Sequence, residues 1–187
     1  MFRKWTVKKY QMLGEMGFFH PEERGELILG NIIKMSAKGT AHTSATRRTA
    51  TLLREILENQ AAVYTQYPIA LDDNSEPEPD IAVVIIDQFD CATHHPTPSE
   101  VYLIIEVADS SLAYDREIKD NIYARSGIAD YWVLNVGERQ LHVFLEPAEN
   151  GYQSEVIIGE TASNCPLLIS QFRQCCHQLC HRCALRT

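Results

Sequence analysis

The feature that most constrains this fold is a lone carboxylate near the end of an apolar run, Glu106 in segment 102–108. A second acid, Asp80, stands at the head of another apolar segment, 81–86. Short β-branched runs bounded by Pro, Ser and Asp predict strands that are buried on both faces. An unpaired charge is costly to desolvate there, so each acid must be neutralised, paired or bound to a cation. Because Lys119 follows on a predicted helix, the two acids suggest a divalent-metal site.

Composition predicts a single domain, which we expect to span residues 1–170. The chain has 187 residues, of which 45% are hydrophobic, and this is enough for one sizeable core. The formal net charge of −8 argues against binding nucleic acid by broad phosphate neutralisation. It does not exclude a nuclease, because a metal site needs acidic ligands. The basic N-terminus precedes no apolar core and the apolar runs are strand-sized, so we expect a cytoplasmic protein without a membrane span.

The sequence pattern predicts an α/β fold with a central mixed β-sheet flanked by helices, after an N-terminal helix and a β-hairpin. Helices are predicted over 7–16, 40–60 and 114–126, with Thr43 or Ser44 capping the second and Gly127 ending the third. Gly30-Asn31 is predicted to form the turn of the hairpin, between strands 26–29 and 32–35. Further strands are predicted over 62–71, 81–86, 101–107, 130–136, 140–145 and 151–158. The helix after the Glu106 strand is expected to be a parallel crossover.

The two strand-end acids have the chemistry of a hard-cation site. Mg²⁺ takes oxygen ligands, usually one or two carboxylates with waters completing the octahedron. The backbone carbonyl of Val107, directly after Glu106, is a further candidate ligand. Lys119 and Tyr123 are four residues apart, so they share one face of the predicted helix. A lysine beside such a metal can position or deprotonate a water, or stabilise a phosphate undergoing attack.

Three segments resemble the Uma-two domain family of the PD-(D/E)XK, restriction-endonuclease-like superfamily: 78–84 (Glu-Pro-Asp-Ile-Ala-Val-Val), 103–107 (Leu-Ile-Ile-Glu-Val) and 111–132. The resemblance extends over about residues 7–168 and implies a restriction-endonuclease-like core. It implies that Asp80 and Glu106 bind metal. The superfamily lysine would fall at position 108, which is Ala here, and the resemblance assigns its role to Lys119 on the next helix. It also implies roles for Glu26, in the Glu-Leu-Ile-x-Gly motif, and for a helix-borne histidine, His42.

The leading hypothesis is therefore a Mg²⁺- or Mn²⁺-dependent endonuclease that acts on DNA. Asp80, Glu106 and Val107 would bind the metal, Lys119 would act on the water, and Glu26 would assist. Basic residues on the 40–60 helix are candidates to approach a phosphate backbone: Arg47, Arg48 and Arg54. One alternative is a catalytically silent nuclease-fold module that binds nucleic acid or protein. Another is a structural Glu106–Lys119 ion pair in a dimerising protein, and the sequence leaves homodimerisation open.

The C-terminal residues 171–187 form a Cys- and His-rich tail whose composition differs abruptly from the rest. Four of the six cysteines lie here: Cys175, Cys176, Cys180 and Cys183. Their spacing matches no common zinc module, and their clustering is unlike the spread framework of a secreted disulfide-rich domain. We expect the tail to lie outside the core, with disulfide formation, a dimer contact and zinc binding as the alternatives.

Overall fold

The computed structural model describes residues 4–20, 23–88, 91–109 and 112–159. The predicted domain boundary at 170 and the tail 171–187 lie outside the described residues. The helices are α1 Val7–Glu15, α2 Thr40–Leu57, α3 Leu112–Tyr114 and α4 Asp120–Arg125, with a π-helical turn, Asp115–Lys119, joining the last two. The strands are β1 Gly25–Ile28, β2 Asn31–Lys34, β3 Ala62–Thr65, β4 Ile81–Val84, β5 Val101–Ala108, β6 Asp130–Asn135, β7 Gln140–Ala148 and β8 Gly151–Gly159. Within these ranges, no helix is long and apolar enough to cross a membrane.

Six of the strands form one mixed sheet, in the order β3-β4-β5-β6-β7-β8. Neighbouring strands are antiparallel except β5 and β6, which are parallel and are connected by the helical segment 112–125. This is the α/β architecture that the sequence predicted, including the parallel crossover. The two strands of main interest, β4 and β5, pair with Ile81 opposite Ile105.

Helices cover both faces of this sheet. On one face, α2 packs Ala50, Leu53 and Leu57 against alternate residues of β4 and β5. On the other face, α4 packs Ile122 and Tyr123 against the other set of alternate residues of β4 and β5. The apolar runs of β4 and β5 are continuous because both faces are buried, and every residue of both strands is buried. A carboxylate on either strand therefore sits beside a packed helix.

The β1–β2 hairpin forms a separate two-stranded sheet. Its turn residues are Leu29 and Gly30, both at positive φ, rather than the predicted Gly30 and Asn31. This is one residue earlier than predicted, because Asn31 already pairs with Ile28. The hairpin is held to the main body by reciprocal backbone hydrogen bonds between Leu27 and Glu76.

The predicted cap of α2 and the predicted end of β3 were wrong. Helix α2 begins at Thr40, as predicted, but its N-cap is Gly39, so Thr43 is already inside the helix and its hydroxyl donates to the Gly39 carbonyl. Strand β3 ends at Thr65 rather than at residue 71. The apolar residues that suggested a longer strand, Ile69 and Leu71, are buried in an irregular segment instead.

The crossover helix ends as predicted at Gly127, which adopts a φ of +78°. The Gly127 amide donates to Ala124 and the Ile128 amide donates to Tyr123, the double hydrogen bond of a Schellman motif. The helix starts at Leu112, two residues before the predicted start, and widens to π geometry over Asp115–Lys119. Such π-helical turns are frequent at functional sites.

Candidate active site

Asp80 and Glu106 come together because of the strand register. Ile81 pairs with Ile105, so the residues one step further, Asp80 and Glu106, lie opposite each other at the end of the β4–β5 ladder. Opposite residues of an antiparallel pair project to the same face. Both residues are buried, with 5% and 3% of their surfaces exposed.

The carboxylate of Asp80 accepts three hydrogen bonds. Lys38 Nζ lies 2.8 Å from Oδ1, while His42 Nε2 and the Val107 amide nitrogen each lie 2.9 Å from Oδ2. Burial alone would raise the pKa of Asp80, but these contacts to His42, Lys38 and Val107 outweigh it and lower the pKa to about 2. Asp80 is therefore ionised throughout the neutral range.

The pKa of Glu106 is shifted in the opposite direction to that of Asp80. Lys119 Nζ lies 2.9 Å from Oε1, and the Tyr123 hydroxyl donates to the same oxygen at 3.0 Å. Complete burial raises its pKa to about 8, since the effect of burial and of the neighbouring acids exceeds the opposing attraction of Lys119. Without a further cation, Glu106 therefore retains a proton at neutral pH in most molecules.

Lys119 is the last residue of the π-helical turn and is 4% exposed. Besides Glu106, its Nζ lies 3.3 Å from Oε2 of Glu26, which the β1–β2 hairpin brings to the site. Burial would lower the pKa of Lys119, but the charge of Glu106 in its ionised form, together with the charges of Glu26 and Asp115, prevails and raises it. Lys119 is thus a permanently protonated cation, and the structure groups it with Glu26 and Glu106 as the sequence-based hypothesis requires.

These side chains open into a cavity of about 370 Å³ between the hairpin, the start of α2 and the crossover helix. Val107, whose backbone carbonyl is the third predicted metal ligand, also lines it. So does Tyr114, whose buried hydroxyl has no hydrogen-bond partner among the described residues. Burial, followed by the charge of Glu26, raises the pKa of Tyr114 to about 12, so its hydroxyl is a hydrogen-bond donor at neutral pH.

The charges around the cavity fit a divalent cation. Six carboxyl groups and three lysines line the cavity: Glu26, Glu78, Asp80, Glu106, Asp109 and Asp115, with Lys34, Lys38 and Lys119. Burial is the main cause of the raised pKa of Glu106, and the charges of Asp115, Asp80 and Glu26 raise it further. The described residues contain no group of three or more His, Cys, Asp or Glu side chains arranged to hold a metal. The oxygen donors that the sequence suggests, two carboxylates and a backbone carbonyl, are of the kind that Mg²⁺ takes when it keeps several of its waters.

Sequence reasoning did not single out Lys38 or Tyr114, and it assigned Asp115 no place in the cavity. The predicted helix-borne histidine, His42, does reach Asp80. Of the three basic residues suggested for phosphate contact, Arg47 and Arg48 are exposed on α2. The third, Arg54, donates to the backbone carbonyl of Val63 at 2.9 Å.

Comparison with known proteins identifies the family and the fold. Residues 7–175 match the Uma2 family, described as a putative restriction endonuclease. The fold is similar to the crystal structure of a putative nuclease of the DUF820 family from Anabaena variabilis, with a TM-score of 0.64 over 83% of this chain and 84% of that one. The two sequences are 16% identical, so this likeness concerns the fold. A search of curated proteins found no match.

Proposed function

Because the chain belongs to the Uma2 family of restriction-endonuclease-like proteins, we propose that it is a divalent-metal-dependent endonuclease that hydrolyses phosphodiester bonds in DNA. The observation that carries the proposal is the arrangement of Asp80 and Glu106 at paired strand ends, with Lys119 against Glu106. All three side chains are buried at a cavity rich in acidic groups, and that arrangement is expensive to maintain for stability alone.

Asp80, Glu106 and the Val107 carbonyl would hold Mg²⁺ or Mn²⁺. When bound, such a cation supplies Lewis acidity toward a phosphate oxygen and lowers the pKa of a coordinated water. Glu106 has to release its proton before it can serve as a ligand, since its pKa is about 8 in the cation-free protein. Asp80 is already ionised, so it is the carboxylate available at every physiological pH.

Lys119 would act as a fixed cation rather than as a base. Its proton is retained by the surrounding carboxylates, which raise its pKa. A protonated amine at this place orients a water through its hydrogen bonds and stabilises the negative charge that develops on a phosphate under attack. Glu26, 3.3 Å from Nζ, would hold the lysine in that orientation.

The DNA backbone would approach from the side of α2. Arg47 and Arg48 are exposed there, on the helix that also carries His42. Their charges are local, and with a chain total of −8 we expect weak, salt-sensitive binding rather than a broad basic interface. Homodimerisation, common to many DNA-cleaving enzymes that cut two strands, stays a prediction.

A second candidate function is a silent nuclease-fold module that binds nucleic acid or protein. It is favoured by one observation: the acids of the site already have internal partners. Both oxygens of Asp80 are hydrogen-bonded, and Glu106 is bonded to Lys119 and Tyr123. Buried acids that already have hydrogen-bond and ion-pair partners within the protein can remain folded in place without a cation.

Two measurements distinguish these candidate functions. They are titration calorimetry of Mn²⁺ into the wild type and into Glu106→Gln, and a plasmid-nicking assay in the same buffer. Binding and nicking that are both lost in the variant support the metal-dependent nuclease. Binding without nicking of any DNA form favours the silent module. If Mn²⁺ does not bind the wild type at all, the metal-dependent proposal is wrong.

A further inference from the structure

Of the three hydrogen-bond partners of Asp80, Lys38 is the one that can most easily move away from the carboxylate. It lies in the segment between β2 and α2, with no helix or strand to fix its backbone, and 16% of its side chain is exposed. The other two partners are on regular elements: His42 on the 18-residue helix α2 and the Val107 amide within β5. A lysine also has a long flexible stem, whereas an imidazole and a backbone amide have little freedom to move.

A divalent cation would also compete with Lys38 for the same oxygen of Asp80. Lys38 Nζ is 2.8 Å from Oδ1 of Asp80, while both contacts of His42 and Val107 go to Oδ2. An ammonium group and a divalent cation repel each other, so they cannot both bind one carboxylate oxygen at close range. Cation binding through Oδ1 therefore requires Lys38 to withdraw.

The structure provides a place for the withdrawn ammonium group. Lys38 lines the active-site cavity and also a neighbouring depression of about 330 Å³ on the outer side of α2. Arg47 lines that depression as well, together with Thr40, Thr43 and Ser44, and the Thr43 hydroxyl already donates to the Gly39 carbonyl. Two cations and the two other hydroxyl groups, those of Thr40 and Ser44, match the hydrogen-bonding needs of a phosphate group.

We propose that Lys38 occupies Asp80 in the cation-free protein and transfers to a phosphate of the nucleic-acid backbone when a divalent cation binds, with that phosphate lying between Lys38 and Arg47. This inference rests on the proposed function, because it concerns the same metal site. It assigns a phosphate position next to the cleavage site and makes strand binding dependent on the cation. Lys38 binds the phosphate directly in this scheme and is not a metal ligand.

The test compares Lys38→Met with Lys34→Met. Lys34 lines the same cavity and is exposed, so its variant removes the same charge without removing the contact to Asp80. In calorimetry without DNA, Lys38→Met should bind Mn²⁺ about fivefold more tightly than Lys34→Met, since the competing ammonium is gone. Equal or weaker binding would show that Lys38 does not compete with the cation.

Strand binding gives the second readout, measured by fluorescence anisotropy of a labelled DNA duplex in Ca²⁺ and, separately, in EDTA. The logarithm of the DNA association constant K is plotted against the logarithm of the salt concentration for each variant. In Ca²⁺ the slope for Lys38→Met should be less steep than the slope for Lys34→Met by about one unit, because one phosphate contact is lost. In EDTA the two variants should have the same slope, and Lys38→Arg should keep the wild-type slope in both. Equal slopes in Ca²⁺, or a difference that persists in EDTA, would contradict the transfer.

These outcomes are distinguishable from failure of the proposed function. If the wild type binds Mn²⁺ and nicks DNA but the two lysine variants behave alike, only the role of Lys38 is wrong. If the variants differ as expected but no DNA is cleaved, Lys38 acts as proposed in a silent module. If the wild type binds no Mn²⁺, both proposals are overturned.

Discussion

Asp80, the residue directly before β4, lies across from Glu106 of the neighbouring antiparallel strand β5, yet the pKa of the first is about 2 and that of the second about 8. The difference comes from their partners. Asp80 receives three hydrogen bonds to its ionised form, whereas Glu106 is completely buried among other acids and has one cation beside it. Two adjacent carboxyl groups thus differ in charge at neutral pH, and several measurable properties follow.

The first prediction concerns stability against pH. The folded state holds the Glu106 proton up to about pH 8, whereas the unfolded chain releases it near the ordinary glutamate pKa of 4.5. Between those values the folded state binds more protons, so the free energy of unfolding should fall as pH rises. The contribution is fully present below pH 4.5 and is lost as pH passes 8. Urea unfolding from about pH 5 to 9 should show this decline in the wild type and a flatter profile in Glu106→Gln.

Asp80 should act in the opposite direction and in a different window. Its pKa is about 2 in the folded state against an ordinary aspartate value of 3.8, so its stabilisation is present above about pH 4 and is lost as pH falls toward 2. Asp80→Asn should be less stable than the wild type at pH 6, with the difference shrinking on acidification. A difference that is constant from pH 6 to pH 2.5 would contradict the assigned pKa.

Cation binding should release a proton. Glu106 is mostly protonated at pH 7 and has to ionise before it coordinates a metal. Calorimetry of Mn²⁺ binding in two buffers of different ionisation enthalpy should therefore report close to one proton released at pH 6.5 and much less at pH 9. Proton release that does not change with pH would mean that Glu106 is not the group that titrates.

Lys119→Met should be destabilising as well as inactivating. Lys119 is 4% exposed and contacts two buried acids, Glu106 and Glu26. Removing one partner of a buried ion pair costs about 3–5 kcal/mol. We expect a loss of that order at pH 8.5 and a smaller one at pH 6, where Glu106 is neutral. The exposed Lys8→Met is the matched control and should change stability by less than about 0.5 kcal/mol.

The sequence predicted the sheet, the crossover and the grouping of Asp80, Glu106 and Lys119 because these depend on strong local signals. An acid inside an apolar run can be recognised in the sequence itself, because acids are rare at positions that are buried. Lys38 gives no such signal. It lies in a short Ser-Ala-Lys-Gly segment, and its partner Asp80 is 42 residues away, so only the folded arrangement reveals the contact.

The errors in element boundaries have a similar physical origin. Ile69 and Leu71 are buried, and that suggested strand, but their amides donate to the carbonyls of Pro77 and Ser75 in place of a strand ladder. Apolar composition predicts burial and cannot distinguish a strand from a buried loop whose backbone is satisfied locally. The π-helical turn was not predicted either, because a regular helical period of about 3.6 residues does not reveal one widened turn.

A last prediction uses two buried tyrosines of the same neighbourhood. The Tyr123 hydroxyl donates to Glu106 Oε1, while the Tyr131 hydroxyl donates to the backbone carbonyl of Asp115, both at 3.0 Å. Replacing either by Phe removes one buried hydrogen bond and should cost about 1 kcal/mol of unfolding free energy. The two variants should therefore have similar urea midpoints.

They should differ in how Mn²⁺ binding depends on pH. A donor to an ionised carboxylate favours its charged form, so Tyr123→Phe should raise the pKa of Glu106 further. The midpoint of Mn²⁺ affinity against pH should then move upward in Tyr123→Phe and stay near the wild-type value in Tyr131→Phe. Calorimetric titrations between pH 6 and pH 9 measure both midpoints. A shift of equal size in the two variants would mean that general loosening of the core, rather than the hydrogen bond to Glu106, sets the proton linkage.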